Sequence, residues 1–176
     1  MAQFISWCIP VHKLNLRQIA LFGVLGALTF GAKVAMSALP NIEPVSLMVM
    51  LFAVVFGWKC LYPIYLYVMM EILLYGINFW NFNYLYVWLL LALAAMALQR
   101  LKNPLWWALL SGFFGLVFGL LCSPVYMVVG SSFSYGIRWW LSGIPFDVTH
   151  AIGNFVIALT LFVPLRTLLS RLYGKM

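Results

Sequence analysis

Glu71 sits inside a long apolar stretch, Tyr67-Val-Met-Met-Glu71-Ile-Leu-Leu-Tyr75-Gly-Ile-Asn78, with no basic residue near it in sequence. Only two other carboxylates occur, Glu43 and Asp147, and each borders a hydrophobic span beside proline-containing turn chemistry. A carboxylate at membrane depth is costly, so it faces a protein interior or a wet cavity and marks a functional site. The expectation is a membrane-embedded binding protein rather than a passive anchor.

The composition supports the membrane half of that statement. Hydrophobic residues make up 66% of the 176 residues and charged residues 7%, against about 25% charged in a soluble domain. The chain reads as one transmembrane domain over residues 1–176, all-α, with lipid as its solvent. The net charge of +7 does not imply nucleic-acid binding, because Lys and Arg are dispersed among span ends. Residues Met1 to Asn15 show no small-residue cleavage pattern, so no cleavable signal is expected. Cys8, Cys60 and Cys122 are too few and too scattered for a disulfide framework or a zinc site. No metal and no cofactor are expected.

Six transmembrane helices are expected, at roughly 16–38, 44–57, 60–78, 83–99, 104–123 and 145–165. The second is shorter than the ~20 residues that cross a bilayer unaided, and residues 44–78 read alternatively as one broken element. Charge decides for six. With cytoplasmic N- and C-termini, eight of the ten basic residues lie inside: Lys13, Arg17, Lys59, Arg100, Lys102, Arg166, Arg171 and Lys175. Glu43, Glu71 and Asp147 then fall toward the outside with Lys33 and Arg138. The longest loop, about residues 124–143, is also outside. No internal repeat is evident, which disfavours inverted-repeat carriers.

On the third span Tyr67, Glu71, Tyr75 and Asn78 follow at spacings of four, four and three, one helical face. Such a stripe lines a wet cavity, or alternatively ties the helix to a neighbour. On the sixth span Asp147, His150 and Asn154 share a face, with Pro145 suited to a helix start. A helix-terminal role is the bland alternative for Asp147; His150 and Asn154 lie deeper. No second histidine or thiol completes a metal site, and no Gly-x-Ser-x-Gly elbow accompanies His150. The first span carries Gly23, Ala27 and Gly31, a small-residue seam of the kind that lets helix backbones approach in lipid. Lys33 lies on a second line with Thr29 and Ser37, roughly 80° from Gly23. Gly115 and Gly119 suit internal packing. Aromatic residues, 18% of the chain, crowd the outer side and suit a flat heterocycle with hydrogen-bonding edges.

These residues together resemble a known family, the substrate-binding S components of energy-coupling factor (ECF) transporters, which import micronutrients into bacteria. The resemblance spans nearly the whole chain. It rests on six spans in a short chain, Asn15-Leu-Arg-Gln before a small-residue first helix, and Leu39-Pro-Asn-Ile-Glu-Pro44. It also rests on Phe56-Gly-Trp-Lys59 and Ile144-Pro-Phe-Asp-Val-Thr-His-Ala-Ile-Gly-Asn154. The resemblance implies a multi-pass protein of the bacterial cell membrane that captures a small heterocyclic vitamin or related micronutrient from outside. Its implied partners are a transmembrane coupling protein and two cytoplasmic ATPases, so the chain itself hydrolyses nothing. The family's docking motif, typically Ala-x-x-x-Ala, is here matched by a glycine variant at Gly23 and Ala27, with Gly31 as its extension. Expected ligand contacts are Glu71, His150 and Asn154, with Tyr67, Tyr75, Asn78, Lys33, Glu43, Asp147 and Arg138 around them. The rival readings are a structural or assembly subunit of another membrane complex and a stand-alone proton-coupled carrier.

Overall fold

The computed structural model describes residues 14–39 and 41–175. Cys8, Lys13 and Pro40 lie outside them. Among the described residues every regular element is helical: α1 (Leu16–Ala35), α2 (Val45–Phe56), α3 (Leu61–Tyr75), α4 (Phe79–Ala97), α5 (Pro104–Val129) and α6 (Phe133–Tyr173). A single 3-10 turn, Gly57–Cys60, separates α2 from α3. Five helical stretches are long and apolar enough to cross a membrane, with Val45–Tyr75 as one of them.

That 31-residue stretch doubles back on itself. Glu43, just before α2, and Tyr75, the last residue of α3, line the same cavity with Lys33 of α1. A straight helix of that length would hold its ends about 45 Å apart. Gly57 makes the reversal, ending α2 at φ +56°, a conformation that favours glycine. Helix α2 is apolar on every side and almost wholly buried, as expected of a helix surrounded by others rather than by lipid.

Caps set the remaining helix ends. Asn15 and Gln18 form a capping box at α1, Asn78 and Asn81 another at α4, and Asn103 accepts from Leu105 N–H ahead of Pro104 at α5. Helix α1 packs on α3 through Phe22, Leu25, Gly26 and Thr29. A Cβ on Gly26 would sit 3.0 Å from the Pro63 carbonyl oxygen, so a larger residue there would have to push α1 away from α3. Helices α5 and α6 form a long hairpin. A Cβ on Gly115 would lie 2.9 Å from the Ala151 backbone nitrogen, and one on Gly112 3.2 Å from Phe155. The glycines of α5 thus serve internal packing.

Several element boundaries differ from the sequence expectation. Helix α6 begins at Phe133, not at Pro145, and α5 runs on to Val129, so the long outer loop shrinks to Gly130–Ser132. The added turns pack on each other: Gly136 lies against Met127, and Tyr126 stacks on Trp139 at 3.8 Å between ring centroids. This contact outweighs the main-chain donor that Pro145 removes. Helix α3 ends at Tyr75 because Gly76 turns to φ +75°; Asn78 therefore starts α4 instead of extending the α3 stripe.

The two ends of the bundle differ in charge. Lys59 Nζ donates to Gln18 Oε1 at 3.3 Å, and Gln18 Nε2 donates to the Tyr173 hydroxyl at 3.5 Å. The start of α1, the α2–α3 turn and the end of α6 thus meet at one end. Lys102, Arg166 and Arg171 line a common groove at that end. Glu43, Glu71 and Lys33 lie at the other.

Candidate functional site

The structure brings the predicted residues into two buried polar clusters. In the first, Lys33 of α1 donates to Glu71 Oε2 of α3 at 2.8 Å and to the Tyr84 hydroxyl of α4 at 3.1 Å. The Glu71 side chain is 7% exposed and that of Lys33 22%, so this pair lies largely out of solvent. Lys33 also rests over the rings of Tyr84 and Tyr67, 5.0 and 5.8 Å from their centroids, where the ring quadrupoles favour a cation. Glu71 Oε1 and the Tyr67 hydroxyl are buried without hydrogen-bond partners.

Glu43 approaches from the α1–α2 connection. Burial holds its carboxyl above the usual carboxylate range, against the opposing pull of Lys33 and with reinforcement from Glu71. Beside this group lies a cavity of about 190 Å³ whose lining includes Lys33, Ser37, Asn41, Glu43 and Tyr75. Asn41 turns the chain here at φ +58°, a left-handed position that asparagine tolerates better than most residues.

The second cluster lies where α6 crosses α5 and the start of α2. Asp147, His150 and Asn154 are all buried on one face of α6, as their spacing predicts. The Gly119 N–H donates to Asp147 Oδ1 at 3.0 Å, an approach that glycine permits. Asn154 Nδ2 donates to Ser46 Oγ at 3.0 Å and to the Ser111 carbonyl at 3.3 Å. His150 packs edge-on against Phe118 at 4.9 Å, and its Nε2 is buried without a partner. Asp147 stands fourteen residues into α6, so helix-end electrostatics no longer account for it.

Aromatic rings join the clusters. Trp88 of α4 touches Tyr84 at 5.4 Å and Phe118 at 5.7 Å, and Phe118 reaches His150. Toward the end of the bundle the series continues through Trp80, which contacts Tyr84, Tyr126 and Trp139. The start of α2 is the polar link, with Glu43 beside Lys33 and Ser46 bonded to Asn154.

Three expected residues stand apart. Tyr75 is 56% exposed at the cavity rim. Asn78 is a helix cap: its Oδ1 accepts from Trp80 N–H and its Nδ2 donates to Gly76 O. Arg138 lies exposed on the first turns of α6. In α1 a Cβ on Gly23 or Gly31 would meet nothing within 4 Å, and Ala27 is exposed. The seam therefore faces outward, and the contact with α3 uses Gly26.

Sequence reasoning passed over Ser46, Ser111 and Asn83. Asn83 is fully buried, accepts from the Tyr86 hydroxyl at 3.0 Å and leaves its Nδ2 unpartnered. An amide among apolar residues of a membrane helix was the available signal. Among the described residues no three His, Cys, Asp or Glu side chains group as metal ligands. Protein-family models, curated proteins and solved structures offer no match to this chain.

Proposed function

We propose that this chain is the substrate-binding S component of an ECF-type importer and captures a small heterocyclic micronutrient at the outer face of a bacterial membrane. The observation that carries the reading is the pair of buried polar clusters joined by an aromatic wall. Glu71 Oε1 and His150 Nε2 each lack a partner among the described residues. An unsatisfied polar atom away from water costs on the order of a few kcal/mol, and a ligand with hydrogen-bonding edges and an aromatic face would relieve both.

On this reading α2 and α3 are separate crossings, which makes six. The short α2 is tolerated because its neighbours, not lipid, surround it. The basic end is cytoplasmic, by the positive-inside rule, and the carboxylates face outward. Transport depends on a membrane coupling protein and two ATPases, with the open Gly23–Ala27–Gly31 face of α1 as the docking seam. Its outward aspect supports that assignment, since it has no packing role among the described residues. The same open face also suits an assembly subunit, which would use the seam and have no need of the clusters.

Ala27→Trp separates these readings. Ligand binding to the purified variant should survive, while ATP-dependent uptake by vesicles carrying the full complex should fail, because the tryptophan holds two backbones apart. Uptake at the wild-type level removes the seam from function. Loss of binding together with uptake shows that the helix is needed for the fold or the site.

A further inference from the structure

We propose that the groove lined by Lys102, Val163, Arg166, Thr167, Ser170 and Arg171 is a binding site for the phosphate headgroup of an anionic phospholipid, with an acyl chain running up α6. The groove encloses about 480 Å³. It holds three cations from two elements, the α4–α5 connection and the last turns of α6. None of the three makes an ion pair among the described residues. The chain has only three side-chain carboxylates, and none of them lines the groove. Lys59, at the same end, is engaged with Gln18; these three are not. Guanidinium groups match phosphate oxygens with paired donors, and a basic pocket between helices at a membrane surface suits an anionic headgroup.

A second observation favours a lipid over a soluble anion. Ile152, Val156, Leu159 and Val163 are exposed by 63%, 52%, 41% and 44%. Their spacings of four, three and four put them on one face of α6, and Val163 is itself a wall of the groove. The track rises about 17 Å from the groove, close to the depth of one leaflet's hydrocarbon, about 15 Å. A soluble phosphate would use the cations and leave this track idle.

The test uses full-length protein in neutral detergent, titrated with dioleoyl phosphatidylglycerol or dioleoyl phosphatidylcholine and read by native mass spectrometry. Wild-type protein should retain phosphatidylglycerol in preference to phosphatidylcholine. Lys102→Gln/Arg166→Gln/Arg171→Gln should weaken phosphatidylglycerol binding at least about fivefold and leave phosphatidylcholine unchanged. A charge-matched control, Arg17→Gln/Lys59→Gln/Arg100→Gln, should bind as wild type. Arg166→Lys/Arg171→Lys, which preserves charge and fold, should lose a smaller part through its paired donors alone. Equal retention of the two lipids overturns the proposal. So does an equal loss in the control, which would mean diffuse attraction, or unchanged binding in both groove variants. Displacement of phosphatidylglycerol by inorganic phosphate at matched ionic strength would assign the cations to a soluble anion instead.

Discussion

Lys33→Met should destabilise the protein, and adding Glu71→Leu should recover most of the loss. In the native bundle Glu71 Oε2 has one partner, the Lys33 ammonium at 2.8 Å, and Oε1 has none. Removing the lysine leaves a carboxylate 7% exposed with nothing to compensate its charge. Breaking a buried ion pair from one side costs about 3–5 kcal/mol. The lower end applies here, because the Lys33 side chain keeps 22% of its exposure. Replacing both partners by apolar groups of similar size is often neutral. The double variant should therefore lie within about 1 kcal/mol of wild type, allowing for the hydrogen bond that Tyr84 forfeits. Equilibrium unfolding by sodium dodecyl sulfate in mixed micelles, followed by tryptophan fluorescence, measures all four corners of the cycle. If either single variant is as stable as wild type, or if the double variant is as unstable as the two losses summed, the pair is not the buried, coupled unit described above.

Gly26→Leu should prevent α1 from docking on α3 and abolish recovery of monodisperse protein, whereas Gly23→Leu should leave recovery and unfolding midpoint unchanged; the reverse order would misplace the packing face of α1. For topology, single cysteines at Ser132 and Asn103, in a background without native cysteines, should label from opposite sides with an impermeant maleimide, Ser132 from outside. Labelling of both from one side would overturn the six-crossing arrangement.

The sequence made some of this arrangement legible and hid the rest for definable reasons. The face shared by Asp147, His150 and Asn154 follows from helical spacing, and the structure keeps it. Glu71 was recognisable as a residue needing an interior. Its partner was not, because Lys33 lies on another helix 38 residues away and only packing of α1 on α3 brings them together. Asn78 has the right spacing for the Glu71 stripe, but spacing presumes a continuous helix, and Gly76 ends it. Pro145 has the residue type of a helix start. Its placement deep inside α6 depends on the contact between Gly136 and Met127 and the stacking of Tyr126 on Trp139, both between elements. Gly23 and Gly31 suggested a seam by their repeat, while Gly26, which makes the tight contact, has no repeat to announce it. Ser46 carried no signal, since a small hydroxyl in an apolar helix ordinarily bonds to its own backbone, and Ser111 takes part through its backbone carbonyl, which any residue supplies.

The central claim is that the two clusters bind one small heterocyclic molecule, and direct identification of that molecule tests it most closely. Protein purified from cells grown in rich medium would be denatured and the released compounds identified and quantified by mass spectrometry. Wild type and Asn154→Leu would be compared after both are shown to be monodisperse. Wild type should release one aromatic heterocycle in equimolar amount, and Asn154→Leu, which removes the amide between Ser46 and Ser111, should release far less. Folded wild-type protein that releases no such compound, and binds none from a panel of added vitamins, would contradict the claim.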